Sequence, residues 1–582
     1  MNIGSSPTIA IGGSPYYPLK NRDNLFQVVN TWTKDLPNQS LKFGGEAHRN
    51  RLDRRQPQGL NGGPRGGFSF EPGTTQLNGG PGLGPDGAYV NGFAAYLLGA
   101  PQELSRTFMT QTPTNRQTQF ALFFQDTYHA TPKLVLDLGI RYEFYSPIKP
   151  KGKGGASNYD PATNDLLVAG YGSGNVDLAN GVSSQSLAEP RVGFAYSIDN
   201  QSVVRGGFAL SGWIGRFGFT GGTLSTQFPV IYNVQVGNTG GYGISGSIDS
   251  LPPVPFTTIP TNGIITPAPN QAFFVIPTRN PVPYVEAYNL TYQRSLGHGF
   301  VTNVGYVGNV GRHLPASVEL NAAAPGTGTA GLRFASYGRT ASTQLRGDLT
   351  SSNYNALQVN MTRSFSNGFS MTLGYAYSRS LDLGSNQPGF IDNLNLARQY
   401  GPSDFDSTHN LVVSHVYELP FGKGKQFMNQ GGIGSLLLSG WQLNGILRLL
   451  SGTPFTITSD ATSCNCPGNS QFGEQVAPVH YPHSLGQWFS TSSFTPPPAN
   501  QFGNAGRNSV RGPTLKQYDF SLFRGFHIWE SLELQARGEF YNLTNTPNFA
   551  NPDSTVTDST FGTITSTNGN ARAGQIALKL LF

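Results

Sequence analysis

The sequence predicts an all-β protein built as an antiparallel transmembrane β-barrel, and three observations lead to this fold class. Charged residues make up only 12% of the 582-residue chain, whereas a typical soluble domain has about 25%. Apolar side chains recur at every second position along the chain, and no apolar stripe of helical period reaches helix length. Short turns alternate with long loops between the resulting strands, which is the layout of an outer-membrane barrel.

The composition narrows the class of protein further. Polarity comes from uncharged residues and 74 glycines, and aromatic residues make up 12% of the chain, which argues against disorder. The net charge of +6 is scattered, so no nucleic-acid partner is expected. The most apolar run, GFAAYLLGA at 92–100, is half the ~18 residues of a membrane-spanning helix. The first thirty residues show no charged segment followed by an apolar core, so no export signal is expected in the chain as written.

Two stretches show the strand alternation most clearly. In KLVLDLGIRYE, residues 133–143, and in FSMTLGYAYS, residues 369–378, an apolar face with aromatic ends opposes a small or polar face. Successive side chains of a strand point to opposite faces of its sheet. We therefore predict a lipid-facing set, Leu134, Leu136, Leu138, Leu373, Tyr375, Leu578 and Leu580, and a lumen-facing set, Asp137, Arg141, Glu533 and Arg537.

The same test predicts fifteen strands, at 25–34, 40–46, 117–129, 134–146, 190–197, 202–213, 285–295, 299–308, 354–365, 368–378, 409–419, 438–450, 515–525, 530–542 and 572–582. Short connections carry turn residues, as in DLPNQ at 35–39 and LGHG at 296–299. Long Gly/Pro/Ser/Asn-rich loops fall at 47–116, 147–189, 214–284, 309–353 and 451–514. Segment 420–440 is of intermediate length and is assigned to the short series, which is periplasmic in such barrels.

A chain of soluble β-sandwich domains would show the same alternation. Loops of up to ~70 residues are unusual inside compact domains, where most connections are short. The barrel is therefore the favoured interpretation.

Ionisable side chains on the predicted inner faces are candidates for lining the lumen. They are Asp137, Arg141, Glu143, Arg191, Arg205, Glu533, Arg537 and Glu539. Such groups could line a translocation path or hold a plug by ion pairs. The alternative is that they are ordinary water-facing residues that pair with one another across strands.

Two cysteines and two histidines raise the question of a metal site. Cys464 and Cys466 precede His480 and His483, and two thiolates with two imidazoles can bind zinc. The C-x-C spacing is shorter than usual for zinc, so a local disulfide, or no bond at all, is favoured over metal.

Enzyme signatures are absent from the sequence. It contains no G-x-S-x-G, H-E-x-x-H or Walker pattern. The glycines of GYVGNVG, residues 305–311, miss the dinucleotide-binding spacing and suit close packing within a strand. Neither enzymatic activity nor a cofactor is predicted.

An ordered series of stretches resembles the barrel of TonB-dependent receptors, and in particular the Oar-like subgroup. The stretches are LKFGGEAHR (41–49), ALFFQDTYHATPKLVLDLGIRYEFY (121–145), PRVGFAYSIDNQSVVRGGFAL (190–210), VEAYNLTYQRSLGHGFVTNVGYVGNVGRHL (285–314), FDSTHNLVVSHVYELPFGKGK (405–425), GWQLNGILRLLSGTPFTI (440–457) and SLELQARGEFYNLTNTPNF (531–549). They cover most of the chain outside the long loops.

The resemblance implies a transporter of the bacterial outer membrane that takes up scarce or bulky ligands with energy from the TonB complex, relayed through a plug domain. It also implies that the terminal Phe582, with Leu580, Leu578 and Ile576 on the same face, is the segment recognised by the barrel assembly machinery. We find no plug-like or regulatory-like domain in the sequence, so contact with the TonB complex is expected only through a plug that this chain does not contain. The whole chain, 1–582, is thus predicted to be a partial barrel domain.

The strand count points the same way. Fifteen is odd, whereas bacterial single-chain barrels have even numbers of strands and plugged outer-membrane transporters have about 22. The sequence therefore predicts a truncated 22-stranded barrel. Two function classes remain: a ligand transporter, and a passive outer-membrane pore or surface-exposed binding and adhesion scaffold.

Overall fold

The framework of the protein is one large antiparallel sheet. The computed structural model describes residues 2–3, 9–12, 17, 19–55, 63–77, 87–171, 177–212, 224–237, 242–385, 390–430, 432–529 and 531–582. The long strands are β1 Lys20–Leu36, β2 Gln39–Arg55, β3 Thr114–Thr131, β4 Leu134–Tyr145, β5 Gln185–Ser197, β6 Ser202–Gly212, β7 Tyr284–Gly297, β8 Phe300–Glu319, β9 Thr343–Ser366, β10 Phe369–Asp382, β11 His409–Glu418, β12 Trp441–Leu450, β13 Leu515–Trp529, β14 Leu532–Tyr541 and β15 Ala573–Leu581.

Each of these strands pairs antiparallel with the next one along the chain, from β1 with β2 to β14 with β15. All fifteen predicted strands are confirmed, although residues 213 and 530, at the limits of two predicted strands, lie outside the described residues. Because the fifteen strands form one continuous ladder, the arrangement is not a chain of separate sandwiches.

Several strands extend further toward the long loops than the sequence predicted. β2 continues to Arg55, β8 continues to Glu319, and β9 begins at Thr343. The extra part of β8 stays paired with β9 through two register shifts near Leu314, as far as Glu319 with Gln344. The predicted ends were set where apolar alternation stops, but backbone pairing continues wherever a neighbouring strand is available.

Connections of two kinds alternate along the ladder, as predicted. Tight turns join β1 to β2, β3 to β4, β5 to β6, β7 to β8, β9 to β10 and β13 to β14. The segment between β11 and β12 lies at the same end and includes the short helix α2, Ile433–Leu438. The long loops all leave from the opposite end. We call these the turn side and the loop side of the sheet.

The registers separate the sheet into two faces. The seven side chains predicted to face lipid share one face, which we call the apolar face, and the four predicted to face the lumen share the other, the polar face. Leu138 pairs with Val192, and at the far end of the ladder Leu578 pairs with Ala536. The apolar face exposes large side chains such as Ile140 and Tyr306.

Glycines in β8 allow close packing between strands, as the sequence suggested. A Cβ at Gly308 would lie 2.4 Å from the ring of Tyr288, and a Cβ at Gly305 would lie 2.5 Å from Thr291 Oγ1. Side chains at these two positions would force the neighbouring strand β7 away.

The long loops and the segment before β1 contain secondary structure of their own. Short strands occur at Asn2–Ile3, Ile9–Ala10, Gly67–Phe70, Glu103–Met109, Lys149–Pro150, Ser157–Asp160, Asp165–Val168, Ile231–Gly237, Ile264–Ile265, Phe273–Val275, Gly401–Pro402, Pro454–Phe455, Glu474–Gln475, Phe494–Thr495 and Val510–Arg511. Five of them form a sheet in the order 231–237, 103–109, 67–70, 2–3 and 9–10.

One helix was missed by the sequence analysis, which found no apolar stripe of helix length. Helix α1 spans Gly87–Leu97. Its Ala95 is buried against Phe70, whereas Val90 and Leu97 are exposed. Apolar residues on more than one side of the helix hide the 3.6-residue period. In the part of the chain that the structure describes, no helix is both long and apolar enough to cross a membrane.

Candidate ligand path along the polar face

The polar face brings three of the predicted residues together with acidic partners from neighbouring strands. Arg141 on β4 makes ion pairs with Glu143, at 2.5 Å, and with Glu46 on β2. Glu189 on β5 lies opposite Arg141 in the ladder, and its carboxylate is 3.6 Å from Arg191. Three carboxylates thus surround two guanidinium groups on adjacent strands.

These ion pairs contribute to the stability of the folded protein because their carboxylates are buried. The side chains of Glu143 and Glu189 are only 5% and 4% exposed. A buried carboxylate that loses its partner is strongly destabilising. Glu189 is held further by the backbone N–H of Gly212, which donates to its Oε1 at 2.7 Å.

Glu46, Glu189 and His48 were not predicted as site residues. His48 lies 3.4 Å from Glu46 on the same face of β2. Glu46 lies inside the predicted strand 40–46 but was not chosen as a candidate. His48 was missed because that strand was predicted to end at residue 46, although period-2 alternation through EAH at 46–48 places both residues on one face. Glu189 was missed because its strand was predicted to begin one residue later, at Pro190.

A cavity of about 640 Å³ lies beside this cluster on strands β1 to β7. The predicted residues Asp137, Arg141 and Arg191 are among those that line it, together with Lys42 and Asn289. Asp137 accepts a hydrogen bond from Thr127 Oγ1 at 2.7 Å. The cavity therefore has both positively and negatively charged groups at its wall.

The remaining predicted residues lie elsewhere on the polar face. Arg537 and Glu539 on β14 are 4.0 Å apart, and the Arg537 guanidinium lies 4.6 Å from the ring centroid of Phe523. Glu533 is on the same strand and face. Arg205 on β6 is exposed and is not among the residues that line the cavity. The prediction thus covers two separate groups on one face rather than a single site.

The polar face is covered on the loop side and open on the turn side. On β3, Asn115, Gln117 and Gln119 are buried, whereas Gln125 on the same face is exposed. Asn115 accepts a hydrogen bond from Ser225 Oγ, in the loop between β6 and β7, at 3.1 Å. Packed loops therefore cover one end of the polar face.

Three loops share a hydrophobic core. Its buried members are Tyr159, Leu166, Val168, Ile265, Phe273, Val275 and Phe334, from the loops after β4, β6 and β8. Arg339 is fully buried beside this core, with its guanidinium 4.8 Å and 4.9 Å from the ring centroids of Tyr159 and Phe273. Burial lowers the pKa of Arg339 and raises the pKa of Tyr159. This core could not be predicted from the sequence because its members are scattered among Gly- and Pro-rich segments.

A second core lies in the loop between β12 and β13. It contains Phe455, Ile457, Phe472, Phe489, Phe494, Ala505 and Val510, and Phe561 from the loop between β14 and β15 packs against it. Arg507 of this loop pairs with Asp382 at 2.7 Å and with Asp404 at 2.9 Å. Arg511 pairs with Asp406, whose side chain is almost fully buried.

The structure does not assemble the candidate zinc ligands. Cys464 and Cys466 are joined to each other by a disulfide, which removes both thiolates from the donor set. The ring of His483 packs against Tyr481 and Trp488. Across the described ranges, no group of three or more His, Cys, Asp or Glu residues could hold a metal ion.

The chain is similar in sequence and in fold to known proteins. Residues 1–575 match the family described as an outer membrane beta barrel domain. No curated protein sequence matches the chain significantly.

Solved structures similar to this chain include an outer membrane transporter, YddB, from Escherichia coli, with 9% identity and a TM-score of 0.46. They also include a variant of the ferric enterobactin receptor PfeA from Pseudomonas aeruginosa in complex with enterobactin, with 11% identity and a TM-score of 0.46. Each alignment covers 97% of this chain and 54% of the other chain, so the chain spans about half the length of these structures.

Proposed function

Since the chain belongs to the outer membrane beta barrel domain family and is located in the bacterial outer membrane, we propose that it is a transporter barrel for the uptake of a bulky or scarce ligand. The observation that carries the proposal is the asymmetry of the polar face. Its turn side is open beside a cavity of about 640 Å³, and its loop side is covered by packed loops. Such an arrangement supports gated entry through the loops.

The charged side chains on the polar face can bind a polar ligand as it passes along the sheet. Arg141 and Arg191 offer guanidinium groups that form paired hydrogen bonds with carboxylate or phosphate oxygens. Their acidic neighbours Glu143 and Glu189 are buried and hold them in place. By the resemblance to TonB-dependent receptors, energy from the inner-membrane TonB complex would reach such a barrel through a plug domain.

A passive pore is the second candidate, and conductance distinguishes the two. We expect the protein in planar bilayers in KCl to conduct little, because the loops cover the loop side of the polar face. Replacing both Arg507 and Arg511 with Ala should release the β12–β13 loop and raise the conductance. The matched control is Lys425→Ala, which removes an exposed ion pair with Glu418 on the turn side. A steady, large conductance of the unmodified protein would favour the passive pore instead.

Energy coupling needs a separate readout. In cells that produce the protein, a fluorophore attached near the β12–β13 loop should be quenched when spent culture medium is supplied as the ligand source, and should recover as the ligand is taken up. A protonophore that collapses the proton-motive force should abolish the recovery but not the quenching. Recovery that continues after the protonophore would show that uptake is not energised and would remove the TonB-dependent part of the proposal.

A further inference from the structure

Basic side chains gather on the apolar face at the loop-side ends of the first three strands. In the ladder, Arg51 lies opposite Arg116, and Arg116 lies opposite Lys149 in the short strand Lys149–Pro150. Residues that lie opposite each other in antiparallel strands point to the same face, with their Cβ atoms about 4.5–5.5 Å apart. We call this group the basic patch, and it consists of Arg22, Arg49, Arg51, Arg55, Arg116 and Lys149.

The basic patch is on the lipid-facing side of the sheet. Phe124 lies opposite Ile140 of the apolar face, and Phe43 lies opposite Phe124. Because alternate residues of a strand share a face, Arg49 on β2 and Arg116 on β3 lie on this same face. The patch therefore continues the apolar face toward the loops.

The patch begins where the apolar part of this face ends. Ala47 pairs with Phe120 in the last apolar row, and Arg49 pairs with Thr118 in the next row toward the loops. A transmembrane strand crosses the hydrocarbon in about 9–11 residues, and β2 begins at Gln39 on the turn side. Arg49 thus lies at the far end of that crossing, level with the lipid head groups.

Contacts within the protein position two of these cations without neutralising the patch. The guanidinium of Arg51 lies 4.7 Å from the ring centroid of Phe26, a favourable contact for a cation. Arg116 pairs with Asp53 at 2.6 Å. Asp53 is the one acidic side chain that the loop-side ends of β1, β2 and β3 place on this face. The patch therefore keeps a strong positive charge.

The loop-side ends of other strands do not show such a cluster on this face. β5 and β6 place uncharged residues there, such as Ala188 and Leu210. Arg312 on β8, Arg379 on β10 and Lys516 on β13 are exposed on the same face, but no two of these three strands are adjacent. The positive charge is therefore concentrated on β1 to β3.

We propose that the basic patch binds the phosphate groups of a glycolipid of the lipid A class. The long loops of such barrels are extracellular, so the loop side meets the outer leaflet of the outer membrane. Guanidinium groups form paired hydrogen bonds with phosphate oxygens, and clusters of Lys and Arg at a membrane surface bind anionic head groups. The acyl chains of the bound lipid lie against neighbouring apolar residues such as Phe120.

The width of the patch favours a glycolipid over a glycerophospholipid. The head group of lipid A is a disaccharide with a phosphate at each end, so one molecule can reach cations on β1 and β3 together. A glycerophospholipid such as phosphatidylglycerol has a single phosphate, and free phosphate has no chain to contact the apolar rows.

Binding of fluorescent lipid A to the full chain, extracted from outer membranes in detergent, tests the proposal. The test variant combines Arg22→Gln, Arg51→Gln and Lys149→Gln, and the control combines Arg312→Gln, Arg379→Gln and Lys516→Gln. All six side chains are exposed, and both variants lose three positive charges. Each Lys or Arg near an anionic lipid contributes about fivefold in affinity. We therefore expect the test variant to bind on the order of a hundredfold more weakly, and the control to bind as the unmodified protein does.

Three further ligands on the unmodified protein keep the test decisive even where a variant fails to fold, which heat-modifiable gel migration would show. They are dephosphorylated lipid A, phosphatidylglycerol and inorganic phosphate. We expect dephosphorylated lipid A and phosphatidylglycerol to bind much more weakly than lipid A, and millimolar phosphate not to displace it. Equal losses in the two variants, undiminished binding of dephosphorylated lipid A, equal binding of phosphatidylglycerol, or displacement by phosphate would each overturn the proposal.

Discussion

The guanidinium of Arg507 lies 2.7 Å from the carboxylate of Asp382, and both side chains are less than a tenth exposed. This pair joins the β12–β13 loop to the loop-side end of β10. Arg507 also donates to Ser385 Oγ at 2.9 Å and to the carbonyl oxygen of Asp382 at 3.0 Å. Arg507 is therefore a buried cation that, together with Arg511, holds this loop over the polar face.

Removing that cation should destabilise the loop side of the protein. Breaking a buried ion pair by deleting one partner costs about 3–5 kcal/mol, because the other charge stays buried and unpaired. We expect Arg507→Ala to lower the free energy of unfolding of the loops by this amount, as measured by denaturant titration with proteolysis of the loop as the probe. Lys425→Ala is the control, since its pair with Glu418 is exposed and should contribute only about 0.2–1 kcal/mol. Equal effects of the two variants would contradict the structural role of Arg507.

The two faces of β4 should respond differently to a charge. Leu136 lies on the apolar face and Val135 on the polar face, where it pairs with Ala195. An arginine on the lipid side near mid-bilayer costs about 2–4 kcal/mol. Leu136→Arg should therefore reduce the yield of folded protein in bilayers much more than Val135→Arg does. Similar yields would mean that the faces are assigned the wrong way round.

The terminal residue should matter for assembly rather than for stability. Phe582 is 97% exposed, so it packs against almost nothing in the chain. We expect Phe582→Ala to slow insertion into the outer membrane, seen as a smaller heat-modifiable fraction on gels, while the stability of inserted protein stays unchanged. Phe365→Ala, at an exposed phenylalanine near the turn side, is the matched control. Unchanged assembly kinetics in the Phe582 variant would contradict the prediction.

Arg339 should hold the first loop core together. Its Nη2 donates to the carbonyl oxygen of Gln271 at 2.9 Å and to Thr343 Oγ1 at 3.0 Å. Arg339→Met keeps much of the side-chain volume but leaves those oxygens without this donor, at a cost of about 1–3 kcal/mol for each buried unsatisfied group. We expect faster proteolysis of the loops after β6 and β8 in this variant. Arg333→Met, in the same loop, is the control, and equal cleavage of both variants would remove the role given to Arg339.

Strand identity could be predicted from the sequence because side chains in a two-faced sheet alternate with a period of two. The pattern Leu134, Leu136, Leu138 against Asp137 and Arg141 carries its own register. Strand ends were less predictable. β8 continues past residue 308 to Glu319 because β9 lies beside it. The pairing partner, residues 343–350, is distant in sequence, so the sequence of β8 alone does not show that the strand continues.

Only some residues of the candidate site could be predicted, because the others lie on strands distant in sequence. Arg141 and Glu143 were visible on one strand, but Glu46, which pairs with Arg141, comes from β2, and Glu189, which lies opposite Arg141, comes from β5. The loop cores were not predicted at all, because their buried phenylalanines are separated by glycines and prolines without any period. The missed helix Gly87–Leu97 belongs to this part of the chain.

The sequence by itself determined the class of protein, the fifteen strands, their order and the two faces of the sheet, since each of these depends on alternation and turn residues that are local in the chain. Only the tertiary structure decided which charges meet, how the loops cover the polar face, and that Cys464 bonds to Cys466. These features depend on contacts between segments far apart in sequence, such as Arg507 with Asp382. Their energies come from burial, which no single segment can create alone.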